Sequence, residues 1–419
     1  MIGLGSWRRR PRKKPRNEFT PGAATLALAG LGGVPAARRV GRFDRIDTTL
    51  LMVIIGLMMF GAVMVYSASI ALADSPRYSV TPAHFLTRHV ISMLIASGAA
   101  AAAFSVPLEL WQRLAPWAFA AGVLLLLVVL VPGIGKGALG AHRWIPMGLL
   151  NLQPSELMKL ACVLYAADFT VRKQDCMHDF GKGFLPMAGV MAVVGVLLLL
   201  QPDLGAFGVM VAISMGILFL GRVNGRLFAS ITVALAVAFM TVIWTSPWRR
   251  DRIFAYLDPW SADNVLGRGY QLSHSLIAFG RGEWFGVGLG ASVEKLHYLP
   301  EAHTDFIVAV IGEELGLAGV LAVVLAFYWL TRRAFEIGRQ AVALDRTFGG
   351  LVAQGVGLWI GVQAFINIGV ASGLLPTKGL TLPLMSYGGS ALLSTVLALA
   401  LLLRVDFENR ALMRGGMAS

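Results

Sequence analysis

Apolar residues in this chain come in long, nearly unbroken runs separated by short polar connections. A helix with one watered face would instead alternate apolar and polar positions every three or four residues. Ten runs approach the roughly 20 residues that a helix needs to cross a hydrocarbon core about 30 Å thick. They occupy residues 50–71, 87–106, 113–131, 155–171, 184–200, 204–220, 227–244, 306–330, 347–371 and 382–403. The fourth is short and carries Lys159, which makes it the weakest of the ten. One polar stretch is long, residues 245–305. The pattern predicts an all-α polytopic membrane protein: ten transmembrane helices with one large extracytoplasmic loop between helices 7 and 8. Composition agrees, since 56% of the residues are hydrophobic and 14% charged, with a mean hydropathy of +0.69. A soluble domain would carry about 25% charged residues.

The net charge of +13 raises nucleic-acid binding, but 11 of the 36 Lys and Arg precede Asp47, which favours a membrane surface. Residues 1–46 are expected to be a basic, disordered cytoplasmic tail. Its run at 8–16 suits anionic lipid or a partner, and equally a purely topogenic role. Residues 47–404 form the membrane domain, and 405–419 a short cytoplasmic C-terminal tail. Positively charged loops mark the inner side. Ten spans place Arg332, Arg333, Arg339 and Arg346 inside, whereas dropping the fourth span would put all four outside. With ten spans the unusual polar residues gather at the outer face: the long loop, Arg143, the start of the fourth span, Asp203, Lys378 and the start of the last span. The two cysteines, Cys162 and Cys176, imply no disulfide framework.

The long loop closes on residues 300–316, which place Glu301, His303, Thr304 and Asp305 directly before an apolar run, with Glu313 and Glu314 further in. From Asp305 to Leu330 a helix would rise about 38 Å. Asp305 would therefore stand at headgroup height, and the two glutamates at the outer edge of the core, where they need partners or water. A carboxylate at that depth suits a general base. Thr304 or Asp305 serving as a helix N-cap explains the spacing equally well. Glu156 and Lys159, three apart, either neutralise each other or line a polar cavity. Arg143, Lys295 and Lys378 are outward cations able to hold a diphosphate or to snorkel among headgroups. Asp203 caps a helix or faces a cavity. The residues from Ser386 to Ser390 allow a close approach of helices or ligand. The glycines at 286, 288 and 290 lack a surrounding βαβ unit and read as a flexible turn. No HExxH, paired CxxC or P-loop pattern is present.

The motifs QPSELMKL, QPDLG, GVGLG, KLHYLPEAHTDFI, IGEELG and PTKGLTLPLMSYGGS, in this order, resemble the SEDS family (shape, elongation, division and sporulation). They look most like its cell-division branch rather than its elongation branch. The resemblance implies a peptidoglycan glycosyltransferase that polymerises lipid II into glycan strands at the outer face of the bacterial cytoplasmic membrane. It implies Asp305 as the catalytic aspartate. It also implies a class B penicillin-binding protein as partner, an FtsI-type transpeptidase, with other division proteins, and a divalent cation, Mg or Mn. Arg143, Glu156, Lys159, Asp203, Lys295, His303, Thr304, Lys378 and Ser386 are the further candidate substrate-binding residues, His303 and Thr304 chiefly as orienting groups. A lipid II flippase is the main alternative. It would be expected to show repeated halves and a midplane site, and neither is visible here.

Overall fold

The computed structural model describes residues 46–74, 80–133, 135–138, 141–148, 151–177, 179–221 and 225–415. The expected N-terminal tail, up to residue 45, lies outside them. The described chain is mainly helical. In order come α1 (Thr48–Ser69), α2 (His84–Ser105) and α3 (Leu108–Val128). A small antiparallel meander follows, β1 (Lys136–Ala138), β2 (Ala141–Pro146) and β3 (Asn151–Leu152). Then come α4 (Pro154–Arg172), α5 (Leu185–Leu200), α6 (Leu204–Leu220) and α7 (Gly225–Trp244). The polar stretch holds α8 (Pro247–Leu257), α9 (Ala262–Val265) and α10 (Tyr270–Gly282). The chain ends in α11 (Ile307–Ala343), α12 (Thr347–Ala371) and α13 (Gly389–Met413).

A helix lies over each of the ten apolar runs, with the last beginning seven residues later than expected, at Gly389. By length and composition seven helices among the described residues can cross a membrane: α1, α2, α3, α5 (counted with the π-turn before it), α11, α12 and α13. The number is eight if α7 and α8, bent by 98° at their junction, count as one broken span. The two others fall short for physical reasons. α6 has 17 residues, and α4 carries Glu156, Lys159 and Asp168 along its length. The long polar stretch is more ordered than a loop, with three helices and a tightly held return to the membrane.

α11 packs along α12, α13 along α2, and α3 along α4. Lipid tails are as apolar as leucine, so helix pairing in a bilayer depends on close fit and polar contacts. At the α11–α12 crossing a Cβ on Gly338 would lie 2.7 Å from the carbonyl oxygen of Gly350, so the helices meet backbone to backbone. One end is tied by charge. Asp47 caps α1 by accepting from the Leu50 amide at 3.1 Å, and its carboxylate also pairs with Arg333 of α11 at 2.6 Å and Arg410 of α13 at 3.3 Å.

At its other end α11 is broken at Gly316, whose φ of 65° and ψ of −164° only glycine adopts readily. The returning polar stretch fills the break. The amides of Leu317 and Ala318 donate to the carbonyls of Glu283 and Trp284 at 2.9 and 3.1 Å. The amides of Val287 and Gly288 donate to the carbonyls of Glu313 and Glu314 at 2.9 and 3.0 Å. The glycine-rich turn is thus bonded into the helix break rather than free. Glu313 and Glu314 are fully buried and paired. Glu314 meets Lys295 at 2.7 Å and Ser67 at 2.6 Å; Glu313 meets Arg281 at 3.2 Å and the Val293 amide at 3.0 Å. Gly316→Ala should lower stability by about 3 kcal/mol, because the backbone is strained for alanine and the new Cβ would sit 2.4 Å from the Gly286 nitrogen. Thermal unfolding in detergent measures it, and an unchanged midpoint would mean that the break tolerates ordinary helix.

Candidate active site

The turn leading into α11 presents Asp305. Glu301 adopts a left-handed φ of 58°, and its carbonyl accepts from the Thr304 and Phe306 amides, each at 3.2 Å, which folds residues 301–306 into a tight turn. The N-cap of α11 is Phe306, with no side-chain cap, so Asp305 does not spend its carboxylate on the helix. Thr304 does not cap it either: its hydroxyl donates to the Glu301 carboxylate at 2.7 Å. Three consecutive carbonyls hold the turn in place. That of His303 accepts from the Tyr387 amide at 3.0 Å, that of Thr304 from the Ser386 hydroxyl at 2.5 Å, and that of Asp305 from Asn367 at 2.8 Å. Among the described residues the Asp305 carboxylate accepts no hydrogen bond. A Cβ on Gly379 would lie 2.8 Å from its Oδ2, so glycine is what allows that loop to pass so close.

Asp305 faces a cavity of about 460 Å³ whose charged lining is Arg143, Asp203, Arg252, Glu301 and Lys378. Arg143 comes from β2, and its guanidinium is aimed by the carbonyls of Gln201, at 2.9 Å, and Pro202. Asp203 caps α6 through the Ala206 amide at 3.2 Å and accepts from Ser155 at 2.9 Å. Trp248 of α8 stands at the same cavity, flanked by the guanidiniums of Arg249 and Arg252 at 5.0 and 5.3 Å. Burial pushes the Asp305 carboxyl up to about 7; Glu301 and Asp203 reinforce the shift and Arg143 opposes it. Burial, with Arg252 and Arg249 nearby, brings the Lys378 ammonium down to about 8. The site therefore holds a carboxylate able to take a proton near neutrality, facing three cations.

Of the residues singled out from sequence, Arg143, Asp203, Asp305 and Lys378 share this cavity. Ser386 and His303 stand behind Asp305. Ser386 fixes the turn from the Leu382 amide, at 2.8 Å, to the Thr304 carbonyl, and His303 is packed among Phe85 and Tyr387. Thr304 braces Glu301. Glu156 and Lys159 are not on the cavity lining. They pair at 2.8 Å in the interior, where Lys159 also donates to Gln363 at 2.7 Å and lies over the Trp359 ring. Lys295 is committed to Glu314. Sequence reasoning missed Arg252, Trp248 and Gln271 on the cavity wall, and Glu301 as a wall residue. The cluster Arg249, Arg250 and Arg252, basic residues directly after an outward-running span, was the signal available for them.

The cavity adjoins a second one of about 240 Å³, lined by α5, α6 and α7 and almost wholly apolar, with Met187, Met191, Phe207 and Phe239 in its wall. Leu204 lines both. A polar, cationic chamber thus opens beside an apolar one at the level where α6 begins.

A cell cycle protein family model, that of FtsW, RodA and SpoVE, matches residues 47–411. The chain is 60% identical over 400 residues to the probable peptidoglycan glycosyltransferase FtsW of Burkholderia thailandensis, covering 94% of this chain and 87% of that one. It is 58% identical over 392 residues to the protein of the same name from Aromatoleum aromaticum, covering 92% and 95%. Among solved structures it resembles a chain of a peptidoglycan synthase complex that coordinates polymerization and crosslinking, with a TM-score of 0.69, 27% identity and coverage of 87% and 98%. The rod shape determining protein RodA of Thermus thermophilus is similar at a TM-score of 0.61 and 26% identity, with coverage of 87% and 97%.

A reaction that uses Asp305 as base beside Lys378 should have a bell-shaped dependence of kcat/KM on pH, since this parameter reports the free enzyme. The acid limb falls near pH 7, where Asp305 ionises, and the alkaline limb near pH 8, where Lys378 loses its proton. Lys378→Arg should move only the alkaline limb upward, because a guanidinium stays charged. Initial rates between pH 5 and about 10 check both limbs; an acid limb near 4 would be that of an ordinary exposed carboxylate.

Proposed function

The chain belongs to the cell cycle protein family of FtsW, RodA and SpoVE, and from that premise we propose that it is a peptidoglycan glycosyltransferase of the FtsW type, polymerising lipid II for the division septum. The observation that carries the reading is an uncapped carboxylate, Asp305, in a cationic cavity that shares a wall residue with an apolar one. A lipid-linked sugar diphosphate has this shape: a long hydrocarbon chain, a diphosphate and a polar saccharide.

Each group then has a task. Asp305 takes the proton from the acceptor sugar hydroxyl as its oxygen attacks the donor anomeric carbon. The bond from that carbon to the diphosphate oxygen breaks, undecaprenyl diphosphate leaves, and the anomeric configuration inverts. Proton removal by a positioned base contributes roughly 10²–10⁴-fold. Arg143, Arg252 and Lys378 stabilise the negative charge that collects on the departing diphosphate. Among the described residues no group of three His, Cys, Asp or Glu side chains forms a protein-built metal cage. The donor set fits a magnesium-type ion, which is commonly held by one or two carboxylates together with substrate phosphates. Glu301 would hold such an ion together with the substrate phosphates, leaving Asp305 free as the base, and the ion would supply further positive charge to the diphosphate.

We read the protein as a ten-span protein of the bacterial inner membrane, at the septum. Both termini are cytoplasmic, and the segment 245–305 is extracytoplasmic. α4 and α6 complete the count: α4 is lined with partners for its charges, and α6, about 26 Å long, begins at the cavity. The partner is a class B penicillin-binding protein of the FtsI type, in keeping with the polymerization-and-crosslinking complex that the fold resembles.

Purified Asp305→Asn, assayed for lipid II polymerisation, should lose activity by at least about 10²-fold while keeping its thermal midpoint and its co-purification with the transpeptidase. Asp305→Glu, which moves the carboxylate by about an ångström, should lose about 10²-fold. Near-normal glycan from Asp305→Asn would sink the assignment. Transfer of labelled lipid II between leaflets without any glycan would replace polymerisation by transport.

A further inference from the structure

We propose that Asn367 is a positioning residue that fixes the spacing between Asp305 and Lys378; the inference rests on the glycosyltransferase reading above. Asn367 lies on α12 and is 1% exposed. Its Nδ2 donates to two backbone carbonyls from different parts of the chain, Asp305 at 2.8 Å and Leu380 at 2.6 Å. Carbonyls only accept, so the amide must turn its NH₂ toward them, and its orientation is settled by chemistry. Its Oδ1 has no partner among the described residues. The side chain therefore acts through its two donors, and an apolar residue of similar size would leave both carbonyls without them.

The second carbonyl leads straight to Lys378. The Leu380 amide donates to the Lys378 carbonyl at 3.1 Å, closing a three-residue turn with Gly379 at its centre. Gly379 is also where this loop touches the Asp305 carboxylate. One amide thus sits at the joint between the segment carrying the base and the segment carrying a cation.

One helical turn earlier, Gln363 holds the neighbouring carbonyl. Its Nε2 donates to Thr381 at 2.8 Å, and its Oε1 accepts from Lys159 at 2.7 Å and Trp359 at 2.8 Å. Lys159 and Trp359 can only donate, so they orient Gln363 as firmly as the two carbonyls orient Asn367. Residues four apart share a face of α12, and their amides take successive carbonyls of the 378–386 segment like rungs of a ladder. Gln363 holds that segment alone, whereas Asn367 also holds Asp305. This gives the buried Glu156–Lys159 pair a place as well: it stiffens the lower rung rather than touching substrate.

The test uses the full-length purified chain and four forms: wild type, Asn367→Leu, Lys378→Met and the double variant. Rates of lipid II polymerisation are expressed per folded enzyme, and hydrogen exchange is followed by mass spectrometry. Asn367→Leu is expected to lower kcat by about 10²-fold, the cost of roughly an ångström of misplacement, with little change in KM. Lys378→Met should cost much less in the Asn367→Leu background than in wild type, because the cation is already out of place there. In Asn367→Leu, exchange should rise in residues 299–306 and 377–387 together while α11 and α13 stay protected. An equal Lys378→Met factor in both backgrounds would overturn the proposal, as would exchange that rises in neither segment, in one alone, or throughout the molecule. A wild-type chain that makes no glycan would defeat the glycosyltransferase reading, and the exchange pattern would still decide the positioning role.

Discussion

A carboxylate without a hydrogen-bond donor, half-buried among protein groups, is costly to maintain, and the end of this molecule where α11 begins is arranged to maintain one. Among the described residues the Asp305 side chain is left unbonded while the backbone around it is overdetermined: three successive carbonyls are clamped from Tyr387, Ser386 and Asn367. Such rigidity is what lets an unfavourable group persist at a fixed place. The break in α11 at Gly316 serves the same end. It lets the returning chain bond into the helix, so the turn at 300–306 starts from a fixed base rather than from a loose loop.

The charges in this protein fall into two sets. Glu156 with Lys159, Glu314 with Lys295, and Asp47 with Arg333 and Arg410 are paired at close range. Removing one member of a buried pair typically costs about 3–5 kcal/mol, because the other is left uncompensated. The cavity set is different. Among the described residues, Arg252 and Lys378 line the cavity with no carboxylate in contact, and Arg143 is bound only to carbonyls. Unneutralised cations converging on one chamber, with an apolar chamber beside it, suit a diphosphate with a hydrocarbon tail.

Much of this was legible in the sequence. The positions of the helices followed from apolar run lengths, and Asp305, Arg143, Asp203 and Lys378 stood out as polar residues in the connections between spans. What run lengths do not carry is partnership. Lys295 and Lys378 look alike as outward cations, and only the packing shows that one is committed to Glu314. Likewise Thr304 and Asp305 both sit where a cap would, yet the N-cap position falls to Phe306 and no side chain caps the helix. Asn367 and Gln363 were illegible for a related reason: an amide within an apolar run has no pattern of its own, and its importance lies in carbonyls contributed from afar. The three helices of the 245–305 segment were hidden by composition, since short helices of mixed apolar and polar residues have no long apolar runs.

The claim on which the rest depends is that Asp305 is held in a place where its ionisation is displaced toward neutrality. Infrared difference spectroscopy of the purified protein across a pH series, with Asp305→Asn subtracted, follows the protonated carboxyl directly and needs no substrate. A carboxylic-acid band that disappears with a midpoint near pH 7 is the predicted result. A band already lost by about pH 4, the range of an ordinary aspartate, would contradict the account.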